Sequence, residues 1–268
     1  MSLRKTLKKL IYGKVPGFRG SFPYFGTRVF FPHNDSVFEI ACDDGIYEQE
    51  LLSQIQGAVK PGSWYFDVGA NIGLMSIPVL CAMKDVRVLS FEPSPNSRRY
   101  LHRTWSESPW KDRWKIVLKA VGDKTGETEF FMSESNLGGF DGIKWTGRVR
   151  TVGTEIVPMT TLDEEWRSLG RPLVSCMKLD IEGAEMRALR GARELMQSVR
   201  PHIFLEWYHE NFRCFDSEPQ DLLKTAREFG YDVIAIPTIS LVQSLPVLLM
   251  QMRRTASFAL VPSDANGR

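Results

Sequence analysis

At 268 residues, 43% of them hydrophobic, and with a formal net charge of +2, the chain has the apolar material for one large, well-buried domain with appended segments. That mild charge argues against a nucleic-acid partner, which calls for a strongly basic face, and no apolar run is long enough to cross a bilayer or serve as a secretory signal. Cys42, Cys81, Cys176 and Cys214 are widely spaced, without a C-x-x-C pair or a histidine cluster, so neither a zinc site nor a disulfide framework is indicated and a cytoplasmic location is the simpler reading.

The first segment puts Leu3, Leu7, Leu10 and Ile11 on one helical face and Arg4, Lys5, Lys8 and Lys9 around the other. Such a helix either touches an anionic membrane surface or packs its leucines on the domain. Packing is preferred, because so short a helix has little apolar area with which to hold a membrane. Phe18, Phe22, Phe25, Phe30, Phe31 and Phe38 follow among Gly, Pro and Asn, the composition of a β-hairpin cap. Residues 48–59 have helical spacing, and Lys60-Pro61-Gly62 stops that helix. Residues 1–60 therefore read as a basic helix and aromatic cap, and 61–268 as the main domain.

The main domain opens on Tyr65-Phe66-Asp67-Val68-Gly69-Ala70-Asn71-Ile72-Gly73, an apolar strand that ends in an acid and turns on glycines. Such a turn passes beneath a ligand with its amide N–H groups exposed. A helix is predicted over 71–83, kinked at Pro78, then a strand over 86–91 ending at Glu92 and Pro93. An acid at the end of a second strand accepts hydrogen bonds from ribose hydroxyls. A nicotinamide site would need G-x-G-x-x-G, and Asn71 and Leu74 stand where its second and third glycines belong.

Further on, 97–106 reads as a helix, 114–120 as a strand, and 120–132 as a turn leading to an added strand. Residues 133–148, rich in glycine and containing Trp145, read as a mobile lid. A strand follows over 149–157, and Thr161-Leu162-Asp163-Glu164 has the capping-box form that starts a helix. Then come a strand over 174–180, a helix over 185–199, a strand over 202–207, a helix over 220–229, and strands over 231–236 and 257–261. An apolar insert, 238–256, separates the last two and is a candidate cover for the site.

Lys178 and Asp180 share a face of their strand, and a lysine in a central strand needs an anionic partner, either Asp180 or Glu206. Glu206-Trp207-Tyr208-His209 leaves the next strand, so Asp180, Glu206 and His209, together with Lys178, are the candidate catalytic residues, to position an acceptor or take its proton. Asp180, Glu182 and Glu206 would also suit a Mg²⁺ ion, although Glu182 and Glu185 equally suit a helix N-terminus. His33, His102 and His202 have no functional argument. Trp207, Tyr208 and Trp145 could stack on a sugar face, and Arg148 or Arg150 could meet an anionic group.

Phe66-Asp67-Val68-Gly69-Ala70-Asn71-Ile72-Gly73 resembles the first motif of class I S-adenosylmethionine methyltransferases. With Phe91-Glu92-Pro93-Ser94-Pro95, Ala120-Val121-Gly122-Asp123, Thr161-Leu162-Asp163 and Met177-Lys178-Leu179-Asp180-Ile181-Glu182-Gly183-Ala184-Glu185, the chain resembles the FkbM methyltransferases over residues 45–210. It departs from their usual pattern at Leu74 and Met75, where an aromatic is common. The resemblance implies an α/β, Rossmann-like fold: a mostly parallel seven-stranded sheet, helices on both faces, and an antiparallel last strand. It implies that Asp67, Gly69, Asn71 and Gly73 surround the methionine half of S-adenosyl-L-methionine, that Glu92 and Pro93 hold its ribose, and that Ala120 and Val121 lie beside it. It also implies O-methylation of a small-molecule or glycan acceptor, a sugar or polyketide-type product. A non-catalytic cofactor-binding or assembly subunit is the alternative, with a nicotinamide oxidoreductase behind it.

Overall fold

A computed structural model describes residues 3–14, 20–32, 35–134 and 137–263, so Phe18, His33 and two residues of the expected lid, 135 and 136, lie outside the described residues. Its strands are β1 (Ser21–Tyr24), β2 (Thr27–Phe30), β3 (Trp64–Val68), β4 (Arg87–Phe91), β5 (Trp114–Val117), β6 (Ala120–Val121), β7 (Gly126–Ser133), β8 (Thr151–Thr160), β9 (Val174–Leu179), β10 (His202–Glu206), β11 (Tyr231–Ala235), β12 (Ser240–Leu241) and β13 (Ser257–Pro262).

The central sheet runs β12-β11-β13-β10-β9-β3-β4-β5. Neighbours from β5 to β10 pair in parallel, and β13 runs antiparallel to both β10 and β11. The expected seven strands are all present, with β12 added at the edge by a hairpin from β11. β3 and β9 are buried along their whole length, as continuous apolar strands covered on both faces are. Phe66, Val68, Met177 and Leu179 feed the core on one face, and Tyr65 and Cys176 feed the core on the other. The chain lays β4 and β5 to one side of β3 and β9 and β10 to the other. The crevice between β3 and β9 is therefore the switch point at which open α/β sheets bind ligands.

Several boundaries differ from the sequence reading. The helix expected over 71–83 covers only Ser76–Ala82, because Asn71 (φ 50°) and Gly73 (φ 96°) turn out of helical space. Pro78 then falls in the first turn, where its missing N–H costs no hydrogen bond, and no kink is required. The strand over 114–120 divides: β5 stays in the central sheet, while β6 joins β8 and β7 in a separate small sheet. The helix over 185–199 breaks into Glu185–Arg190 and Arg193–Val199. At that break a Cβ on Gly191 would stand 2.1 Å from the Gly122 carbonyl oxygen. Thr161 caps Leu162–Ser168 as expected, accepting from the Glu164 amide at 3.1 Å.

The cap is the hairpin β1–β2 followed by a helix not foreseen from sequence, Ser36–Asp44. Phe31 stacks on Phe38 at 3.9 Å between ring centres, and the Phe30 amide donates to the Thr104 hydroxyl of the helix Arg98–Glu107. The expectation that the first helix packs its leucines fails: Leu3, Leu7, Leu10 and Ile11 are all exposed. The insert forms β12 and the helix Leu245–Met252, which buries Leu248 in the core. It supplies no lining to the cleft between the ends of β3 and β9. No helix among the described residues is long and apolar enough to cross a membrane.

Candidate active site

The turn after β3 is held by its own backbone. The amides of Gly69 and Ala70 both donate to the Phe91 carbonyl at the end of β4, and the Asp180 amide donates to Val68. Gly69 has φ 84°, and a Cβ there would lie 1.8 Å from the Asp180 carbonyl oxygen. Only glycine permits both that conformation and that approach. The next residues aim their amides at Glu92: Asn71 N–H reaches one carboxylate oxygen at 2.8 Å, and Ser94 N–H the other at 2.7 Å. Each oxygen keeps a lone pair for a further donor.

Glu92 lines a cleft of about 830 Å³ that also includes Gly69, Asn71, Pro93, Ala120, Val121 and Asp180 among its walls. The cap closes one side with Val37 and Tyr47, and the 138–143 loop another. The loop is pinned there through Asp141, whose carboxylate accepts from the Ser133 amide and hydroxyl, the Ser94 hydroxyl (2.5 Å) and the Asn96 side-chain amide (3.0 Å). Its expected aromatic, Trp145, is 55% exposed, donates to the Val149 carbonyl, and is absent from the lining.

Asp67 lies beneath the turn, fully buried, and does not line the cleft. The Trp114 indole N–H bonds the Ser90 hydroxyl (2.8 Å), Ser90 bonds Ser76 (2.7 Å), and Ser76 bonds Asp67 (2.5 Å). This chain of donors fixes the carboxylate opposite Lys178, its register partner on β9. Gly73 packs below the turn against Trp114, likewise outside the lining.

Lys178 makes the expected pair with Asp180, at 2.9 Å, its side chain only 4% exposed. Burial alone would lower its pKa, but Asp180, Asp67 and Glu48 hold the ammonium charged and drive it upward. Asp180, Glu182 and Glu206 each present an oxygen within 4.8 Å of the others. Arg148 joins them from the loop, donating to Glu182 (2.9 Å) and Asn211 (3.1 Å) while lying over the rings of Phe140 and Tyr208. Asn211 donates to Glu206 at 2.7 Å. Lys178, Arg148 and Asn211 each donate to one oxygen of these carboxylates, the oxygen donors that a Mg²⁺ ion would use.

Burial, opposed by two amide donors, raises Glu92 to about 7, and burial raises Glu185 to about 7 despite the amides of Ile181 and Gly183. Burial lifts Glu182 to about 8 against the pull of Arg148. Glu206, buried beside Asp180, Glu182 and Glu185, is pushed well above the usual carboxylate range. Burial also raises Asp67 and Asp141.

His209 begins the short helix His209–Phe212 with its side chain 57% exposed, edge-on to Phe212 and 3.9 Å from Glu210, outside the cleft lining. Trp207 is core, stacked on Phe212 at 4.2 Å. Sequence reasoning missed Ser76, Ser90, Ser94, Asp141 and Asn211, whose roles depend on contacts between distant segments. It also missed Glu48, a non-glycine residue at φ 43° within electrostatic reach of Lys178 and Asp180. Asn71 and Glu182, both in the cleft lining, are likewise left-handed.

A family model described as the methyltransferase FkbM domain matches residues 67–233. The hexuronic acid methyltransferase AglP of Haloferax volcanii is 27% identical over 153 residues, which is 57% of this chain and 59% of that protein. Among solved structures, methyltransferase FkbM from Methylobacillus flagellatus KT is similar over 78% of this chain and 50% of its own, at 16% identity and a TM-score of 0.47. Precorrin-6y C5,15-methyltransferase from Geobacter metallireducens GS-15 is similar over 81% of this chain and 90% of its own, at 10% identity and a TM-score of 0.45. This chain thus spans less than two thirds of the Haloferax and Methylobacillus proteins. The matched region runs from Asp67 in β3 to Val233 in β11, through the glycine turn, Glu92 and the Asp180–Glu185 segment, and the chain belongs to the FkbM methyltransferase family.

Proposed function

We propose that this protein is an S-adenosylmethionine-dependent O-methyltransferase acting on a hydroxyl of a sugar, glycan or related natural product. The observation that carries the reading is Glu92, fixed by the Asn71 and Ser94 amides at the carboxyl end of β4, in a cleft at the sheet's switch point. The residues fit the cofactor. Asn71 keeps a buried side-chain oxygen with no hydrogen-bond donor, and the acidic walls suit a ligand carrying sulfonium and ammonium charge. Glu92 would accept from the ribose hydroxyls, and the Gly69–Asn71 turn would face the amino-acid end. The bound cofactor supplies the electrophilic methyl group.

The chain's own task is to orient an acceptor hydroxyl and remove its proton. Asp180 lines the cleft and is steadied by Lys178, so it is the proposed base. Burial beside Asp180, Glu182 and Glu185 raises the pKa of Glu206, which favours a role as hydrogen-bond donor within the cluster over that of a second base. His209 would serve the acceptor side only after rotating inward. The hexuronic acid specificity in the Haloferax relative's name favours the sugar class. The test is transfer of labelled methyl from S-adenosylmethionine to a panel of hexuronic acids, neutral sugars and hydroxylated polyketides. A methyl ether on a sugar supports the reading; cofactor binding without transfer to any acceptor supports the non-catalytic subunit instead.

A further inference from the structure

Residues Leu3–Lys8 and Lys9–Lys14 form an α-helical turn and a π-helical turn in succession. Their sequence carries Arg4, Lys5, Lys8, Lys9 and Lys14 and no acidic residue. Leu3 is 77% exposed, Leu7 47%, Leu10 45% and Ile11 40%. Leu3, Leu7 and Ile11 form one wall of an open groove of about 1220 Å³, with Phe22, Tyr24 and Ala41 of the cap opposite. Exposed leucines concentrated on one short segment mark an interaction surface, since each leaves apolar area in water that a partner would cover.

The charge identifies the partner. Five basic residues in a stretch of sequence that contains no acidic one complement an anionic surface, and apolar residues beside them complement the acyl boundary beneath its headgroups. We infer that this segment docks the protein on the surface of a bilayer containing anionic lipid. The leucines enter the headgroup–acyl boundary, the positive charge of the segment is drawn to the phosphates, and the groove accepts apolar lipid. The attachment is peripheral, because among the described residues no helix is able to span a bilayer. This inference does not depend on the methyl-transfer reading.

The test is flotation of the full-length protein with vesicles of phosphatidylcholine alone or mixed with phosphatidylglycerol. Binding should be at least about tenfold stronger to the anionic vesicles and should fall with added salt. Leu7→Glu and, separately, Leu10→Glu should abolish it while leaving the circular dichroism spectrum and S-adenosylhomocysteine affinity unchanged. Lys5→Glu/Lys8→Glu should abolish it as well. Failure to float with anionic vesicles, or equal flotation of wild type and both leucine variants, would overturn the inference. So would a wild-type dimer, seen by light scattering without lipid, that Leu7→Glu converts to monomer, since a second copy would then be the occupant.

Discussion

Replacing Gly69 with alanine tests the geometry that brings the cofactor turn against the base-bearing strand. The added Cβ would stand 1.8 Å from the Asp180 carbonyl oxygen and 2.9 Å from its carbon, both of them backbone atoms without rotamer freedom. Restoring ordinary contact requires β3 and β9 to part at their ends by roughly 1.5 Å, within a core packed to crystal density. An L-residue at φ 84° costs ~1 kcal/mol, and overpacking of this kind adds about 2–3 kcal/mol, for a total of about 3–4 kcal/mol. Gly62→Ala is the control: Gly62 has φ 75°, but nothing lies within 4 Å of an added Cβ, so only the ~1 kcal/mol conformational cost applies. Urea unfolding of both variants measures the difference, and calorimetry with S-adenosylhomocysteine shows whether the turn has moved. Affinity should fall in Gly69→Ala and hold in Gly62→Ala. Equal destabilisation of the two variants, with equal affinity, would refute the close approach.

The remaining outcomes concern the carboxylates. Asp180→Asn should retain S-adenosylhomocysteine affinity and lose turnover by about a hundredfold or more; undiminished turnover would remove Asp180 as the base. The ligand-free protein should become less stable as pH rises. Glu92 and Glu185 at about 7 and Glu182 at about 8 bind protons in the folded state that the unfolded chain releases near 4.5. The stability they contribute is complete below the unfolded value and is lost as pH climbs through the folded ones. A Tm lower at about pH 8 than at about pH 6 is the expected result, and a flat profile would contradict the burial of these groups. Turnover after exhaustive EDTA treatment should be unchanged, with Lys178 and Arg148 supplying positive charge to Asp180 and Glu182 in place of a metal; a loss restored by Mg²⁺ would show that the cluster holds one.

The strands and the acids at their ends were legible because each signal is local. An apolar run, an acid and a left-handed turn follow one another within a few residues at Asp67 to Gly73, and a single strand face carries both Lys178 and Asp180. The features that escaped depend on what another segment does. The helix after β3 starts at Ser76 because the turn continues through Gly73, and the 185–199 helix breaks where Gly191 meets Gly122. Neither contact has a marker in its own stretch of sequence. Asp67 read as a cofactor ligand, but the serines that hold it below the cleft come from the following helix and from β4. Amphipathic spacing identified the Leu3 to Ile11 face correctly and misjudged what covers it, since periodicity reports a face and not its partner.

Calorimetric titration of wild type and Glu92→Ala with S-adenosylhomocysteine, with NAD as the control ligand, tests the proposed cofactor site most directly. The expected result is saturable binding of S-adenosylhomocysteine but not NAD, weakened at least about tenfold by the substitution through loss of charge-assisted hydrogen bonds. Equal affinity in the two folded proteins, or binding of NAD alone, would contradict it.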